Sequence, residues 1–305
     1  MLTLTNLQKS YGPLTALAGV TCEIRAGEFF GLLGPNGAGK STLMSLIAGL
    51  RQADAGTILL DGQPLGARAG ATAGAIGLVP QSIALYEDLS AEENLGIFGR
   101  LYGLGGRNLA NRISECLESV QLQDRRRDAV KTYSGGMQRR LNLAASLLHR
   151  PRLLLCDEPT VGIDPQSRNA IFDLLQDLNR GGLTVIYSTH YMEEATRLCS
   201  RIGIIDHGRI LALGTLDELL TQLPFAEEVG FPRTAETAAA AAALRPLGRL
   251  TETADQYRLQ LDPAMPLSPV FAAGEAAGLP GRLCTLKRPT LEDLFLHLTG
   301  KSLRE

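Results

Sequence analysis

No stretch of the 305-residue chain approaches the roughly 18 to 20 consecutive apolar residues that a bilayer-crossing helix needs. The apolar-rich segment 141–148 is cut off by His149, Arg150 and Arg152, so the chain does not read as a membrane-spanning subunit. The opening residues, MLTLTNLQKSYG, hold no long apolar run, and a secretory signal is not expected. A basic surplus is also missing. The chain has 30 Lys and Arg against 32 Asp and Glu, a net charge of −2, which gives no support to a nucleic-acid-binding role. The five cysteines, Cys22, Cys116, Cys156, Cys199 and Cys284, form no CxxC pair. That speaks against a disulfide framework or a cysteine zinc site and fits reduced thiols in the cytosol. No internal repeat is visible. The remainder is ordinary: 45% hydrophobic and 20% charged residues can build a sizeable core. At roughly 150 residues per domain the length suggests two domains.

Along the chain, β-forming runs alternate with helical patterns. Short β-forming runs lie at 2–7 and 20–24. Residues 29–33 read as a buried strand that enters a glycine-rich turn and then a helix over 41–50. Strand, glycine turn and helix make a βα unit. Further strands are predicted at 56–60 and 76–79, with a turn at Asp61-Gly62. From about 82 to 150 the pattern is helical. Ser90 and Glu93 have capping-box spacing, and Ile113, Leu117 and Val120 recur at helical spacing. After Pro151 come strands at 153–156 and 184–188, apolar enough to be buried on both faces, with a helix over 167–179 between them. A hairpin, 202–206 and 209–213, follows around His207-Gly208. Beyond Gln222 the composition shifts, with an alanine run at 238–243. Strand 226–231, helix 235–244, strands 249–253 and 257–261, helix 268–277 and strand 282–287 predict a small α+β module. Its βαββαβ order is of the ferredoxin-like kind, and a helix over 291–298 closes it.

Three motifs carry chemistry. The first is GPNGAGKST: Gly34, Pro35, Asn36, Gly37, Ala38, Gly39, Lys40, Ser41 and Thr42. It fits GxxxxGK[ST] and lies between a strand and a helix, as that motif demands. Its glycines let backbone amides turn inward around phosphate oxygens at a helix N-terminus. Lys40 can reach the β- and γ-phosphates, and Ser41 can ligate Mg²⁺. The second is LLLCDEP at 153–159, an apolar strand that ends in two carboxylates. Asp157 can hold Mg²⁺, and Glu158 can polarise an attacking water as general base. The third is YSGGMQRR at 133–140, where Ser134, Gly135 and Gly136 open a helix and offer a second anion site. Each motif gains weight from the order in which the three occur.

At this point the sequence resembles the nucleotide-binding subunits of ABC transporters, over about residues 1–222. The family signature is LSGGQ. Tyr133 and Met137 stand at its first and fifth places, Ser134, Gly135 and Gly136 match, and Gln138 follows one place too late to be the family glutamine. The resemblance implies an α/β fold: a P-loop NTPase, ABC-type domain with a mixed β core and a helical subdomain at about 82–150. Residues 223–305 then form an appended accessory, dimerisation or regulatory module. It further implies that Tyr11 stacks on adenine. Gln81, in VPQ, would sense Mg²⁺ and the attacking water and adjoin the transmembrane subunit. His190, in STH, would contact the γ-phosphate. Asp164, in VGIDP, would cross a dimer interface and can also cap the helix that starts at Pro165. His149, His207 and His297 have no comparable setting. ATP and Mg²⁺ are the implied cofactors. The implied partners are an integral membrane permease and a second ATPase subunit, identical or not, with no nucleic acid. Two ATP molecules would be sandwiched, each phosphate loop facing the Ser134 to Gly136 turn of the other copy, at the cytoplasmic face of the membrane.

The tail segment KRPTLEDLFLHLTGK, 287–301, resembles the closing segment of ATPases from the type-2 export branch, which handles drugs, antibiotics, polysaccharides and sodium. Leu291, Leu294, Phe295 and Leu298 also form an apolar stripe that any amphipathic closing helix would have. An importer ATPase and an ATP-dependent switch remain alternatives. DNA-repair and chromosome-organising relatives insert long coiled coils between the phosphate loop and the signature, and no sustained heptads separate Lys40 from Ser134. A translation-associated relative needs two ATP domains, and a single phosphate loop is present.

Overall fold

The computed structural model describes residues 1–65, 73–262 and 264–300. The chain divides into two compact units, Met1–Leu213 and Gly214–Leu303. The division falls slightly before position 222, so the short helix Leu216–Leu220 belongs to the second unit, where it packs against the closing helix Leu291–Thr299.

The first unit carries the strands β1 (Leu2–Tyr11), β2 (Leu14–Ile24), β3 (Phe29–Leu33), β4 (Ala55–Leu60), β5 (Gln63–Pro64), β6 (Ile76–Val79), β7 (Leu153–Asp157), β8 (Thr184–Thr189), β9 (Arg201–Asp206) and most of β10 (Arg209–Gly214). They form a four-stranded sheet of order β2-β1-β4-β5 and a six-stranded sheet of order β10-β9-β3-β8-β7-β6. In the larger sheet β6, β7, β8, β3 and β9 run parallel. β3, β7 and β8 are buried at every position, as parallel strands covered on both faces must be. Successive side chains alternate between two cores. Phe29, Leu154, Cys156, Val185 and Tyr187 face the core that holds the helical segment, with Leu95, Leu117 and Leu141. Phe30, Leu153, Leu155 and Ile186 face the core shared with Leu43, Met44 and the β1–β2 hairpin.

That hairpin is longer than its sequence pattern suggests. Leu2 pairs with Ile24 and Tyr11 with Leu14, but the register shifts three times along it. Each shift breaks the two-residue alternation on which strand recognition relies. The helical segment contains Ala91–Leu101, Gly106–Ser119 and Gly135–Leu147. Ser90 and Glu93 close the expected capping box, the Ser90 hydroxyl accepting from the Glu93 amide and the Glu93 carboxylate from the Ser90 amide.

The second unit is an antiparallel sheet of order β12-β13-β11-β14, built from β11 (Glu227–Pro232), β12 (Arg249–Glu252), β13 (Gln256–Leu261) and β14 (Thr285–Lys287). With helices Ala238–Leu244 and Leu267–Ala276 inserted, this is the βαββαβ order and strand arrangement of a ferredoxin-like module. Val229, Phe231, Tyr257 and Leu259 meet Ala240, Ala241, Leu244 and Val270 in its core. β14 is shorter than predicted, because Gly281–Leu283 forms a 3₁₀ turn behind Pro280. Among the described residues no helix is long and apolar enough to cross a membrane.

Candidate functional site

β3 delivers the chain into the glycine-rich loop, and the loop geometry explains its glycines. A Cβ on Gly34 would lie 2.2 Å from the Ile205 carbonyl, and one on Gly39 would lie 2.5 Å from that of Ala16. Gly37 and Gly39 adopt φ of +81° and +108°, a left-handed region open to glycine at little cost. Gly39 is the N-cap of helix Lys40–Ile47, whose first amides and positive dipole end therefore point toward the loop. Lys40 is buried beneath the loop. Its Nζ donates to the Gly34 carbonyl at 2.7 Å and the Pro35 carbonyl at 3.0 Å, and pairs with Glu158 Oε1 at 3.0 Å.

Glu158 follows directly on β7 and collects three predicted residues. Besides Lys40, Gln81 Nε2 donates to its Oε2 at 3.2 Å, and His190 Nδ1 lies 3.3 Å from its Oε1. The His190 contact is not aligned as a hydrogen bond, which leaves Nδ1 buried and without a partner. Glu158 itself has φ of +46°, a strained conformation for a residue with a side chain. Its amide is held by Ser188, at 3.2 Å to the carbonyl and 3.0 Å to the hydroxyl. The Ser188 hydroxyl donates to Asp157 Oδ1 at 2.6 Å.

The other predicted residues fall into separate places. Ser134 caps helix Gly135–Leu147, its hydroxyl accepting from the Met137 amide at 3.2 Å. Asp164 caps helix Pro165–Arg180 and accepts from the Ser167 amide at 2.9 Å. That amide contact and the Ser167 hydroxyl hold the Asp164 carboxyl below its ordinary range. These two helix starts adjoin each other: a Cβ on Gly136 would lie 2.1 Å from Ser167 Oγ. Among the described residues no hydrogen bond or ion pair joins Ser134, Gly135, Gly136 or Asp164 to the phosphate loop. Tyr133 is buried and donates to the Arg125 carbonyl at 2.7 Å, so the first signature position is an internal anchor. Gln138 donates to the Val130 carbonyl at 3.3 Å, facing its own segment. Tyr11 is exposed at the end of the hairpin, between Lys9 and Arg51, whose cationic groups lie 5.7 and 5.2 Å from its ring centre. His207 and His297 are exposed, whereas the ring of His149 stacks on Tyr102 at 3.8 Å.

Several supporting residues were not legible as site residues. Ser188 is one. Another set lies along helix Gly135–Leu147, where Arg139 donates to the Pro80 carbonyl at 3.0 Å, Asn142 accepts from the Ala84 amide at 3.3 Å and Ser146 donates to the Leu78 carbonyl at 2.6 Å. They fasten the segment that carries Gln81 to the signature helix. Their signal was faint, being three buried polar residues at positions 139, 142 and 146, one face of a helix.

The residues fit a nucleotide and a hard divalent cation. The glycines leave room where side chains would collide with the backbone, and the orphaned Nδ1 of His190 lies beside the carboxylate of Glu158 that Lys40 pairs with. Ser41, Asp157 and Gln81 offer oxygen donors. Among the described residues no three His, Cys, Asp or Glu side chains cluster as a protein-only metal cage would require. A cation held here would share its shell with phosphate oxygens and water, as Mg²⁺ usually does.

The chain has clear relatives among known proteins. Residues 17–161 match the model of the ABC transporter family. Over 311 residues, covering all of both chains, the sequence is 42% identical to a linearmycin resistance ATP-binding protein of Bacillus subtilis (strain 168). It is also 42% identical to a daunorubicin resistance ATP-binding protein of Streptomyces coeruleorubidus, covering 99% of this chain and 97% of that one. A Nod factor export ATP-binding protein of Ralstonia nicotianae is 38% identical, covering 100% and 95%. Among solved structures, an ATP-binding subunit of an ABC transporter superposes with a TM-score of 0.66 at 31% identity, over 73% of this chain and 92% of that one. A dimeric ATP-binding cassette in a post-hydrolysis state, bound to ADP and Pi, superposes with a TM-score of 0.64 at 29% identity, over 70% and 98%.

Proposed function

Since the chain belongs to the ATP-binding subunits of ABC transporters, we propose that it hydrolyses ATP to drive export through a separate membrane permease. The observation that carries the reading is the convergence of Lys40, Gln81 and His190 on the single carboxylate of Glu158, at 3.0, 3.2 and 3.3 Å.

Each residue then has a task. The free amides between Asn36 and Thr42 and the start of their helix cradle the β- and γ-phosphates, with Lys40 neutralising charge between them. Tyr11 offers its exposed ring to adenine. Glu158 accepts a proton from the attacking water, which Gln81 orients, and His190 holds the γ-phosphate through its free ring nitrogen. Ser41, Asp157 and Gln81 would hold Mg²⁺, which would supply charge neutralisation at the phosphates. Ser188 keeps the Asp157 carboxylate and the Glu158 peptide in fixed relation. Ser134, Gly135 and Gly136 offer an anion site that, among the described residues, no hydrogen bond joins to their own phosphate loop. This suits a dimer in which they serve the loop of the other copy, with Asp164 beside them at the same interface.

The absence of a spanning helix among the described residues leaves transport to a partner. The groove beside the Gln81 segment, about 800 Å³ and lined by Leu50, Ala84, Phe98, Tyr102 and Ser146, supports contact with that permease at the cytoplasmic face. Export is favoured over import because the relatives in hand are named for antibiotic resistance and Nod factor export. Cargo of the drug type is the reading those names support, ahead of lipid, polysaccharide or ion. The test is reconstitution of the full chain with its multi-helix permease in vesicles. ATP-dependent movement of a drug-like cargo away from the ATP side is expected. Movement without ATP, or ATP turnover by a chain that never associates with a permease, would contradict the reading.

A further inference from the structure

One buried carboxylate of the first unit has no part in the chemistry above. Glu194 lies in the first turn of helix Met192–Leu198 and is 4% exposed. Its two oxygens gather three hydroxyl groups. Thr160 Oγ1 donates to Oε1 at 2.8 Å, while Tyr187 OH and Thr189 Oγ1 donate to Oε2 at 3.0 and 2.7 Å. The Thr160 and Tyr187 hydroxyls are also 2.9 Å apart. Arg168 Nε stands 3.9 Å from Oε1, on the helix that Asp164 caps. Thr160, Tyr187 and Thr189 are themselves almost wholly buried. Burial and the adjacent Glu194 carboxylate hold the Tyr187 phenol far above its ordinary range, so it remains a donor.

The placement of these donors is informative. Thr160 is two residues beyond Glu158. Thr189 immediately precedes His190, and its hydroxyl also accepts from the Tyr191 amide at 2.9 Å, so the His190 peptide is bracketed. The His190 and Tyr191 rings lie 4.1 Å apart, and the Arg168 guanidinium lies 5.7 Å from the Tyr191 ring centre. If packing alone mattered, an apolar side chain would fill this position without the desolvation cost of a carboxylate. Instead, charge-assisted hydrogen bonds, stronger and more directional than neutral ones, join the two backbone segments that carry the base and the histidine.

We infer that Glu194 is a positioning residue that locks the Glu158–Thr160 segment to the Thr189–Tyr191 segment and so fixes Glu158 and His190 relative to each other. The inference rests on the reading of Glu158 as the base.

The test measures kcat, KM for ATP, nucleotide affinity and thermal midpoint of the full chain carrying Glu194→Gln, Thr189→Val or Thr189→Ser, alone and combined with Glu158→Gln. Glu194→Gln and Thr189→Val are expected to lower kcat by about tenfold to hundredfold, the loss that a misplacement of about 1 Å produces. KM and nucleotide affinity should stay near wild type, while the thermal midpoint falls in Thr189→Val, because a buried carboxylate oxygen loses its donor, and recovers in Thr189→Ser. Thr189→Ser, which keeps the hydroxyl, should recover most of the turnover. Neither damaging change should lower the residual turnover of Glu158→Gln further, because residues that act as a unit are not additive. Wild-type kcat in both variants overturns the inference, as does a matching loss of nucleotide binding or a fully additive loss on Glu158→Gln. If Glu194→Gln does not fold, Thr189→Val against Thr189→Ser decides alone. Wild-type turnover in Glu158→Gln by itself removes the base reading, and the inference with it. An inactive Glu158→Gln beside fully active Glu194→Gln and Thr189→Val removes the inference only.

Discussion

In the unit Met1–Leu213, Lys40, Arg139, Asp157, Glu158 and Glu194 are all withdrawn from water. In the unit Gly214–Leu303, the one buried polar residue among those described is Thr237. Its hydroxyl donates to the Pro232 carbonyl at 2.6 Å and steadies the turn into helix Ala238–Leu244. Withdrawing an ion from water costs several kcal/mol even after relaxation, so a fold built for packing alone avoids it. The second unit avoids it. The first accepts it mainly around the ends of β7 and β8 and beneath the loop after β3. Lys40 and Glu158 pair at the phosphate loop, Asp157 adjoins them, Arg139 and Glu194 fasten neighbouring segments, and Glu28, just before β3, pairs with Arg201. The contrast separates a unit organised around reactive charge from one organised around an apolar core.

The largest effect expected from breaking this contrast is on Lys40. Lys40→Ala removes the buried cation and leaves Glu158 without its strongest partner. ATP binding should be lost or severely weakened in calorimetry, by about 10²-fold or more given the strength of charge-assisted contacts to phosphate. In the second unit the matching lesion is apolar. Phe231→Ala should cost that unit about 3–5 kcal/mol, seen as faster hydrogen exchange in β11 and β13, with ATP affinity near wild type. A smaller effect is expected at Ser188. Ser188→Ala leaves a buried carboxylate oxygen of Asp157 without its donor and should cost about 1–3 kcal/mol, read by thermal unfolding.

The smallest effect lies in the capping box of the closing helix. Thr290 accepts from the Asp293 amide and donates to the Asp293 carboxylate. Thr290→Ala should cost about 1 kcal/mol. Burial pushes the Asp293 carboxyl up, but hydrogen bonds from Thr290 and Lys287 outweigh it, and its pKa lies below the ordinary 3.8. A carboxyl depressed in the folded state stabilises above its ordinary value, and that increment is lost as pH falls through the folded value. Acid titration of helicity should therefore show a loss below about pH 4 in the wild type and a smaller one in Thr290→Ala.

Much of this was legible because glycine, lysine and paired carboxylates in GPNGAGKST and CDEP have few other reasons to occur in that order between strand and helix. The strands were legible where burial on both faces makes them wholly apolar, as in FFGLL and LLLCD. What escaped is polar and buried together. Ser188 and Thr189 read as ordinary β-formers at the end of TVIYST. Glu193 and Glu194 are adjacent, and a seven-residue helix is too short for periodicity to say which one turns inward. The hairpin beyond Leu7 escaped because its register shifts erase the alternation that would have announced it. In the second unit, simple packing made the βαββαβ order readable despite an alanine-rich composition, and the ends of the elements moved by only a few residues.

The account turns on Glu158 as the group that activates water, and the most direct measurement is ATP turnover beside ATP affinity in the full chain carrying Glu158→Gln. The amide keeps the shape and the contact with Gln81 and removes the base. The account predicts ATP binding close to wild type with turnover reduced by about 10²-fold or more, the scale of losing a general base. Turnover at the wild-type rate with unchanged affinity would contradict it.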